Sequence, residues 1–200
     1  MTDYYQHHYA SNSDLKRLVS RYVEGREQPD LEEVFTLGTL IHAALLENHK
    51  ANENHKDYKL AQTMAKTVMN DPLCRQLILI RDFKREYEFY RQDVYGIKAR
   101  AKMDGYSRVL STVLEYKGLS VLTDKAFMEA VYNFDYDQGA AWYLDTSGAR
   151  NLLVVAVSKK NPRKMFKLLI DRNHDVYKSG LVKVKRAVQL WKEFFEPCLN

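Results

Sequence analysis

The chain has 200 residues, of which 46% are hydrophobic and 28% charged, and its net charge is +5. This length suits one domain with a sizeable core, and the composition is that of an ordinary soluble protein. No run of about 18 apolar residues occurs, so we expect no membrane-spanning helix. The polar N-terminus lacks the order of a secretion signal. The two cysteines form no CxxC pair, which excludes a four-thiolate cluster and favours a reducing, cytoplasmic compartment.

The first 80 residues show helical periodicity. Ser11 and Ser13 are candidate N-caps for the first helix. A second helix is predicted over about residues 31–48 because apolar side chains recur there at i, i+3, i+4, i+7 and i+8. These side chains are Leu37, Leu40, Ile41, Ala44 and Leu45. Residues 49–57 are predicted to form a loop and residues 58–70 a third helix, and Asp71-Pro72 opens a short fourth.

The middle of the chain changes to a period of two, which indicates β-strands. Alternate apolar side chains from Tyr95 to Met103 predict one strand, and residues 112–117 predict its neighbour. The nearly all-apolar run at 151–158 is typical of a central strand buried on both faces. A further strand is predicted at 165–170. Helices are predicted at 123–133 (with Thr123 as cap), 136–145 and 181–195.

Two carboxylates and a lysine lie on the first two of these strands. If the chain reverses around residues 108–111, strand pairing places Asp104 opposite Glu115, with Cβ atoms roughly 5 Å apart. Period two then places Lys117 on the same face as Glu115. Opposed carboxylates and one fixed positive charge suit Mg²⁺-dependent phosphodiester hydrolysis, because a cation between the carboxylates relieves their repulsion. An exposed hairpin with Glu115 and Lys117 as solvated charges is the alternative.

Positive charge is concentrated in the last third of the chain. Between residues 159 and 192 the sequence has eleven basic residues and two acidic ones. Such a surplus is expected where a protein contacts a nucleic-acid backbone. Four of the basic residues directly follow the predicted central strand, and we expect them to flank the path of DNA: Lys159, Lys160, Arg163 and Lys164. A solvated helix face would carry similar charge, and the sequence leaves that alternative open.

Several short motifs follow one another along roughly residues 8 to 160. They are Ser11-Asn-Ser-Asp-Leu-Lys-Arg-Leu, Gly38-Thr39-x-x-His42 with Glu47, Arg100-x-x-x-Asp104-Gly105, Glu115-Tyr116-Lys117, Phe127, and Gln138-Gly-Ala-Ala-Trp-Tyr143. No single motif is specific, but their order resembles RecB-like members of the PD-(D/E)xK nuclease superfamily. More narrowly, the chain resembles the exonuclease VIII (RecE-like) group carried by phages and prophages.

The resemblance implies an α/β fold with a restriction-endonuclease-like core. In this core, helices flank a mixed central β-sheet, and an N-terminal helical region precedes it. We find no internal repeat or second-domain boundary. We therefore expect a single nuclease domain over residues 1–200, with a mainly helical part at 1–80 and a sheet-containing catalytic core at 81–200.

The resemblance also implies roles for the matching residues. Asp104 and Glu115 would be metal ligands, together with the backbone carbonyl of Tyr116. Lys117 would orient or charge the attacking water and the phosphate. His42 would help complete the metal site, although a lone helical histidine is more often structural. Gly38, one turn before it, would leave room for another backbone to approach. The implied metal is Mg²⁺, as one or two ions, with Mn²⁺ as a substitute.

Two positions depart from the family pattern. The usual Asp-x-Lys-Thr is replaced by Glu115-x-Lys117-Gly118, which keeps the carboxylate. The family glutamine would stand at Gly139, whereas Gln138 lies one residue earlier, and one helical step turns a side chain by about 100°. Gln138 and Tyr143 are supporting candidates. The sequence leaves open whether Gln138 points into the site and whether Tyr143 is only an apolar ring with a satisfied hydroxyl.

The function implied is that of a Mg²⁺-dependent exonuclease that digests one strand of linear duplex DNA from 5′ to 3′ in phage-type recombination. The resemblance also implies a ring-like homo-oligomer and a single-strand annealing protein as partner. Strand polarity and ring formation do not follow from residue spacing. Two alternatives remain: an endonuclease on the same fold, and a non-catalytic DNA-binding module that has kept it.

Overall fold

The structure, a computed structural model, describes residues 9–25, 32–47 and 54–195, without the side chains of residues 32–36 and 47. The helices are α1 (Asn12–Tyr22), α2 (Glu32–His42), α3 (Tyr58–Asn70), α4 (Pro72–Leu79), α5 (Asp124–Asn133), α6 (Tyr136–Ser147) and α7 (Asp175–Phe195), and α2 continues as a π-helix (Ala43–Glu47). The strands are β1 (Lys84–Val94), β2 (Ile97–Ser107), β3 (Thr112–Leu119), β4 (Asn151–Ser158) and β5 (Met165–Ile170). None of the helices in these described ranges is long and apolar enough to cross a membrane.

The five strands form one mixed sheet in the order β1-β2-β3-β4-β5. Strands β1, β2 and β3 pair antiparallel in succession, β3 and β4 pair parallel, and β5 returns antiparallel to β4. The parallel pair is joined through α5 and α6, as a parallel connection requires. Seven of the eight residues of β4 are buried, which confirms the predicted central strand.

The sheet lies between two helical layers. Along β3, Val113 packs into the cluster that contains Trp142 of α6, whereas Leu114 and Tyr116 pack into the cluster that contains Met64 of α3. This alternation is what the two faces of a strand produce. The predicted α/β fold, a mixed sheet flanked by helices, is therefore confirmed.

The helix starts predicted from capping residues are observed. The Ser11 hydroxyl accepts the backbone N–H of Asp14, and the Asp14 carboxylate accepts the backbone N–H of Ser11. This reciprocal cap stabilises a helix start by about 1 kcal/mol. The Thr123 hydroxyl accepts the backbone N–H of Ala126 at the start of α5, and the Asp71 carboxylate accepts that of Cys74 at the start of α4, whose first residue is the proline.

The differences from the prediction include one missed strand and the starts of β2 and α7. The sequence does not predict β1, an edge strand in which only Val94 is buried. The strand predicted from Tyr95 begins at Ile97, because Tyr95 and Gly96 form the β1–β2 turn with φ of 57° and 81°. Helix α7 begins at Asp175 and passes through Gly180. A Cβ at Gly180 would lie 1.8 Å from the carbonyl oxygen of residue 137, so glycine permits the close contact between α7 and α6.

The helix predicted over residues 31–48 is α-helical as far as His42 and then π-helical to residue 47. Such π-helical turns are rare and frequently accompany functional sites. Predictions about residues 31, 48–53 and Cys198, and about the side chain of Glu47, lie outside the described part of the chain.

Candidate active site

The pairing of β2 with β3 ends next to the two predicted carboxylates. Three residue pairs are formed, the last being Gly105 with Leu114, and their register is the one that sets Asp104 opposite Glu115. Beyond that pair, Oδ2 of Asp104 accepts a hydrogen bond of 2.6 Å from the backbone N–H of Tyr116. The Asp104 side chain therefore connects the two strands at the point where their regular pairing ends.

Glu115 and Lys117 contact each other on one face of β3. The Nζ atom of Lys117 lies 2.5 Å from Oε1 of Glu115. The other oxygen, Oε2, is buried and has no hydrogen-bond partner among the described residues. A buried carboxylate oxygen is costly unless a donor or a cation meets it. Together with Asp104, it offers hard oxygen ligands of the kind that Mg²⁺ prefers, so the residues present fit a divalent cation.

The C-terminal end of α2 brings His42 to the same place. Its Nδ1 atom lies 3.3 Å from Oδ1 of Asp104, and its ring packs edge-on against Tyr116 with 6.1 Å between ring centroids. The structure thus brings together His42 and Asp104, which the resemblance assigns to one metal site. A Cβ at Gly38 would meet no atom of the described chain within 4 Å, so no described backbone approaches this glycine.

Glu86 of β1 joins this group, and the sequence gives no sign of it. Its Oε1 lies 3.5 Å from Nδ1 of His42, and Oε2 lies 2.9 Å from Nζ of Lys102. One ligand atom each from His42, Glu86 and Asp104 lies within 4.8 Å of the other two. The backbone of Glu86 has φ of 49°, a left-handed conformation that costs a residue other than glycine about 1–3 kcal/mol. A glutamate in a polar edge strand resembles ordinary surface, which is why the sequence does not mark it.

Burial and mutual interactions shift the pKa values of the β3 pair. Burial raises the pKa of Glu115 to about 7, with a further contribution from Asp104 and opposition from Lys117. Burial lowers the pKa of Lys117, but the Glu115 and Asp104 carboxylates outweigh it and raise the pKa above its ordinary value. Lys117 is therefore a fixed positive charge at neutral pH.

The other two groups shift in opposite directions. Burial lowers the pKa of His42, but the Asp104 carboxylate and the hydrogen bond to Glu86 outweigh burial and raise that pKa. For Glu86, burial raises the pKa, but His42 and Lys102 outweigh it and bring that pKa down to about 2. Glu86 is thus an ionised carboxylate throughout the neutral range.

A pocket of about 180 Å³ opens beside Glu115 and Lys117. Helix α1 forms one wall with Asn12 and Lys16, and α6 forms another with Gly139 and Tyr143. The predicted candidate Tyr143 therefore lies at the pocket. The wall from α1 is a feature that the sequence did not place, although Asn12 and Lys16 belong to the first of the motifs that carry the resemblance.

Gln138 does not reach the pocket directly. It is 4% exposed, and its Nε2 donates a hydrogen bond of 3.1 Å to Oδ1 of Asn12. Gly139, at the family glutamine position, lines the pocket, and a Cβ there would lie 3.3 Å from Nδ2 of Asn12. The one-residue displacement thus turns the glutamine toward α1, where it orients a side chain that lines the pocket.

Lys16 adds a second amine to this pocket. Its Nζ donates to the backbone carbonyl of Phe134 at 2.9 Å. Burial lowers the pKa of Lys16 to about 8; Asp135 opposes that shift, and the charge of Lys117 adds to it. Two amines and one buried carboxylate therefore face a pocket large enough for a phosphate group.

The four basic residues predicted to flank DNA lie in the connection between β4 and β5. The backbone N–H of Lys159 donates to the carbonyl of Leu119 at 2.7 Å, which places this connection against the end of β3, close to Lys117. Within the described ranges, none of the four forms an ion pair with a carboxylate. No described carboxylate therefore neutralises their charges, which suits a phosphate-binding role, and Nζ of Lys164 lies over the Phe166 ring, 5.6 Å from its centroid.

Other members of the basic run do have carboxylate partners. The pairs are Lys167 with Asp71, Arg172 with Asp145, Lys178 with Asp175, and Lys183 with Asp135 and Asp137. The surplus available to an outside partner is consequently smaller than the eleven-to-two count suggests. Lys185, Arg186 and Lys192 of α7, like the four residues of the β4–β5 connection, have no carboxylate partner among the described residues.

The model of one protein family, a PDDEXK-like domain of unknown function (DUF3799), matches residues 17–196. No curated protein matches the sequence. Among solved structures, the chain is similar to a candidate exonuclease from Eubacterium rectale, with a TM-score of 0.68 and 15% identity over 91% of this chain and 80% of that one. This likeness shows a shared fold.

Two further solved structures are similar at lower scores. One is a phage related exonuclease from Haemophilus somnus 129PT, with a TM-score of 0.45 and 13% identity over 96% of this chain and 97% of that one. The other is an alkaline exonuclease from Laribacter hongkongensis, with a TM-score of 0.43 and 10% identity over 92% of this chain and 89% of that one.

Proposed function

The chain belongs to the PDDEXK-like domain family whose model matches residues 17–196, and on this premise we propose that it is a metal-dependent deoxyribonuclease. One observation carries the proposal: the buried Oε2 of Glu115 has no hydrogen-bond partner among the described residues. Glu115 lies opposite Asp104 in the strand register, and the charged Lys117 contacts the same carboxylate. Buried carboxylates next to a fixed cation suit a divalent metal and a phosphate better than they suit a purely structural role.

His42, Asp104 and Glu115 would hold the divalent cation, with the backbone carbonyl of Tyr116 as a further ligand. A bound Mg²⁺, or Mn²⁺ in its place, supplies Lewis-acid activation of water and stabilisation of phosphate charge, through one ion or two. Lys117, kept protonated by its neighbouring carboxylates, would stabilise the negative charge that develops on the attacked phosphate. The amine contributes most in the transition state because it is already positioned by Glu115.

The supporting residues would act on the nucleic acid. Tyr143 and the α1 wall would contact the strand that enters the pocket beside Glu115, and Gln138 would act through Asn12. Lys159, Lys160, Arg163 and Lys164 would bind phosphates along the duplex and lead it toward the metal centre. Because such contacts bind ground and transition states alike, they would set affinity more than turnover.

The finer proposal is an exonuclease that digests linear duplex DNA from 5′ to 3′ in phage-type recombination. It is supported by the ordered motifs of the exonuclease VIII (RecE-like) group and by the exonuclease named for the Eubacterium rectale structure. A single nuclease domain over residues 1–200, a ring-like homo-oligomer and a single-strand annealing partner belong to the same proposal.

An end-labelling experiment tests the function. The purified protein is incubated with Mg²⁺ and linear duplex DNA labelled separately at each 5′ and each 3′ end, with closed circular DNA in parallel. We expect early release of the 5′ label, later release of the 3′ label and an intact circle. Cleavage of the circle would indicate an endonuclease. DNA binding without cleavage in any divalent metal would indicate a non-catalytic module and overturn the proposal.

A further inference from the structure

Three side chains from three separate elements converge at the metal centre, each with a ligand atom turned toward the others. These atoms are Nδ1 of His42 from α2, Oε1 of Glu86 from β1 and Oδ1 of Asp104 from β2. The nitrogen lies 3.5 Å from the Glu86 oxygen and 3.3 Å from the Asp104 oxygen. Neither the sequence motifs nor the family resemblance assigns a role to Glu86.

The second oxygen of each carboxylate is anchored, which fixes the direction of the first. Oε2 of Glu86 is held by the amine of Lys102 at 2.9 Å, and Oδ2 of Asp104 is held by the backbone N–H of Tyr116 at 2.6 Å. Metal-binding carboxylates are commonly oriented by such outer contacts, which hold the ligand atoms in place before the ion arrives. Glu86 therefore has the same arrangement as Asp104.

The β1 backbone supports a specific placement of this one side chain. The neighbouring pairs Arg85 with Gly105 and Tyr87 with Met103 keep a single register, so no residue is inserted at this point. Only Glu86 between them adopts the left-handed conformation, with φ of 49°. A strained residue in an otherwise regular strand persists when its surroundings hold it there, and such residues cluster at functional sites.

An independent feature of the centre also indicates a missing positive charge. Glu115 is 9% exposed and lies opposite Asp104 in the strand register. Its Oε2 has no partner within the described part of the chain. The contacts that Lys102, Lys117 and His42 make therefore leave one buried carboxylate oxygen unsatisfied. A bound divalent cation would satisfy it.

We propose that Glu86 is a further protein ligand of the divalent cation at this centre, so that the ion is held by three carboxylates and one imidazole. The inference rests on the proposed function, since it adds a ligand to the same site. A set of hard oxygens with a single nitrogen suits Mn²⁺ and Mg²⁺. Glu86 would also close the centre on the side of the edge strand.

The test is a calorimetric titration of the whole chain with MnCl₂, without DNA, on four proteins: wild type, Glu86→Gln, Glu88→Gln and Asp104→Asn. Glu88 is the matched control, because it lies in the same strand and its carboxylate contacts only the hydroxyl of Tyr90 among the contacts described for it. We expect Glu86→Gln to weaken Mn²⁺ binding about tenfold or more, as loss of an ordinary metal contact does. Glu88→Gln should bind as the wild type does.

The outcomes separate the two proposals. If Glu86→Gln binds Mn²⁺ like the wild type while Asp104→Asn does not, Glu86 is no ligand and the nuclease proposal stands. If the wild type itself neither binds Mn²⁺ nor degrades DNA, the proposed function fails and this inference fails with it. Weakened binding in Glu86→Gln and Asp104→Asn alone supports the inference.

A thermal unfolding measurement guards against a purely structural effect. Glu86→Gly relieves the left-handed strain but also removes the contacts with Lys102 and His42, so its unfolding temperature without metal is measured first as its own baseline. Added MnCl₂ should then raise its unfolding temperature less than it raises that of the wild type. Should Glu86→Gly unfold at a lower temperature without metal and gain as much from MnCl₂ as the wild type, the carboxylate is structural and the inference is overturned.

Discussion

Two strands bring a glutamate to the same centre from contrasting surroundings. Glu115 lies in β3, which is paired on both sides and buried, whereas Glu86 lies in β1, an exposed edge strand. Burial dominates at Glu115 and raises its pKa to about 7, while at Glu86 the cationic neighbours outweigh burial and bring the pKa to about 2. Among the described residues, the buried carboxylate lacks a partner for one oxygen, whereas the edge carboxylate contacts both Lys102 and His42.

In the centre we propose, one carboxylate needs a cation to satisfy it and the other is already held in place for one. Loss of the buried group should damage the chemistry, because its partner Lys117 then remains buried and unpaired. Loss of the edge group should mainly weaken the hold on the ion. We therefore expect substitutions at the centre in β2 and β3 to reduce activity more than a substitution in β1.

The largest expected effect is a loss of DNA degradation when the residues of β2 and β3 at the proposed centre are changed. Lys117→Ala should reduce Mg²⁺-dependent DNA degradation by about 100-fold or more, since removing one positioned charge from a transition state has an effect of this size. Asp104→Ala and Glu115→Ala should be equally damaging, because each removes a carboxylate that we propose as a metal ligand. Degradation of labelled linear duplex measures the loss, with circular dichroism to check folding and Glu88→Gln as control. A well-folded Lys117→Ala protein that cleaves at nearly the wild-type rate would contradict the assignment.

Ca²⁺ distinguishes DNA binding from DNA cleavage at the proposed centre. Ca²⁺ accepts the same carboxylate oxygens but with a looser geometry, so it should bind, support DNA binding and fail to support cleavage. Parallel gel-shift and degradation assays in Mg²⁺ and Ca²⁺ measure the two properties. Equal turnover in the two metals would argue against a site of this kind.

Basic residues show a similar contrast between free and paired positions. Lys159, Lys160, Arg163 and Lys164 have no carboxylate partner in the described chain, whereas Lys178 pairs with its helix neighbour Asp175 at 3.2 Å. Changing the four to glutamine should weaken DNA binding without regard to sequence. It should also flatten the log–log salt dependence by about 0.9 per lost phosphate contact.

The salt titration has its control in the same basic run. Lys178→Gln removes a charge already used within the chain, so its salt slope should match that of the wild type. Turnover at saturating DNA should change little in the four-residue variant, because the lost contacts bind ground and transition states alike. If the wild type and the four-residue variant give the same salt slope, the β4–β5 connection has no part in DNA binding.

Much of the fold could be predicted because the spacing of apolar residues along the sequence indicates which faces of an element are buried. The strands β3, β4 and β5 and the helices α3 to α6 bury one or both faces, so their apolar spacing is visible in the sequence. Strand β1 buries only Val94, and so it lacks that pattern. Helix α7 was predicted to begin later than it does, since Gly180 is unfavourable for a helix unless another backbone must come close.

The candidate centre likewise contains residues that the sequence predicts and residues that it does not. Strand register was enough to predict that Asp104 and Glu115 lie opposite each other, and the family resemblance added His42. Glu86 could not be found from the sequence, because it comes from an edge strand and from an unusual backbone conformation. Gln138 shows the remaining limit: helical spacing raised the question of its direction, but only the tertiary contact with Asn12 answers it.

The smallest expected effect, a change with pH, separates the two glutamates directly. A proton competes with the cation for Glu115 below its pKa of about 7, so metal affinity should fall about tenfold between pH 8 and pH 6. Glu86 is ionised over this whole range, because its pKa is about 2. Calorimetric titrations at pH 6, 7 and 8 should therefore show that Glu115→Gln makes the pH dependence of whatever binding remains shallower, with protonation of His42 accounting for the rest. Glu86→Gln should lower affinity and keep the pH dependence that comes from Glu115.

Stability without metal should change with pH in opposite senses at the two positions. Glu115 has a raised pKa, so its contribution is fully present below the ordinary value of 4.5 and is lost as the pH rises through about 7. Glu86 has a lowered pKa, so its contribution is present above 4.5 and is lost as the pH falls toward 2. Thermal unfolding of the two glutamine variants against wild type, from pH 2 to pH 8 in a chelator, measures both. If Glu115→Gln gains no stability relative to wild type as the pH rises through 7, burial does not govern the β3 carboxylate, and the contrast between the two strands breaks down.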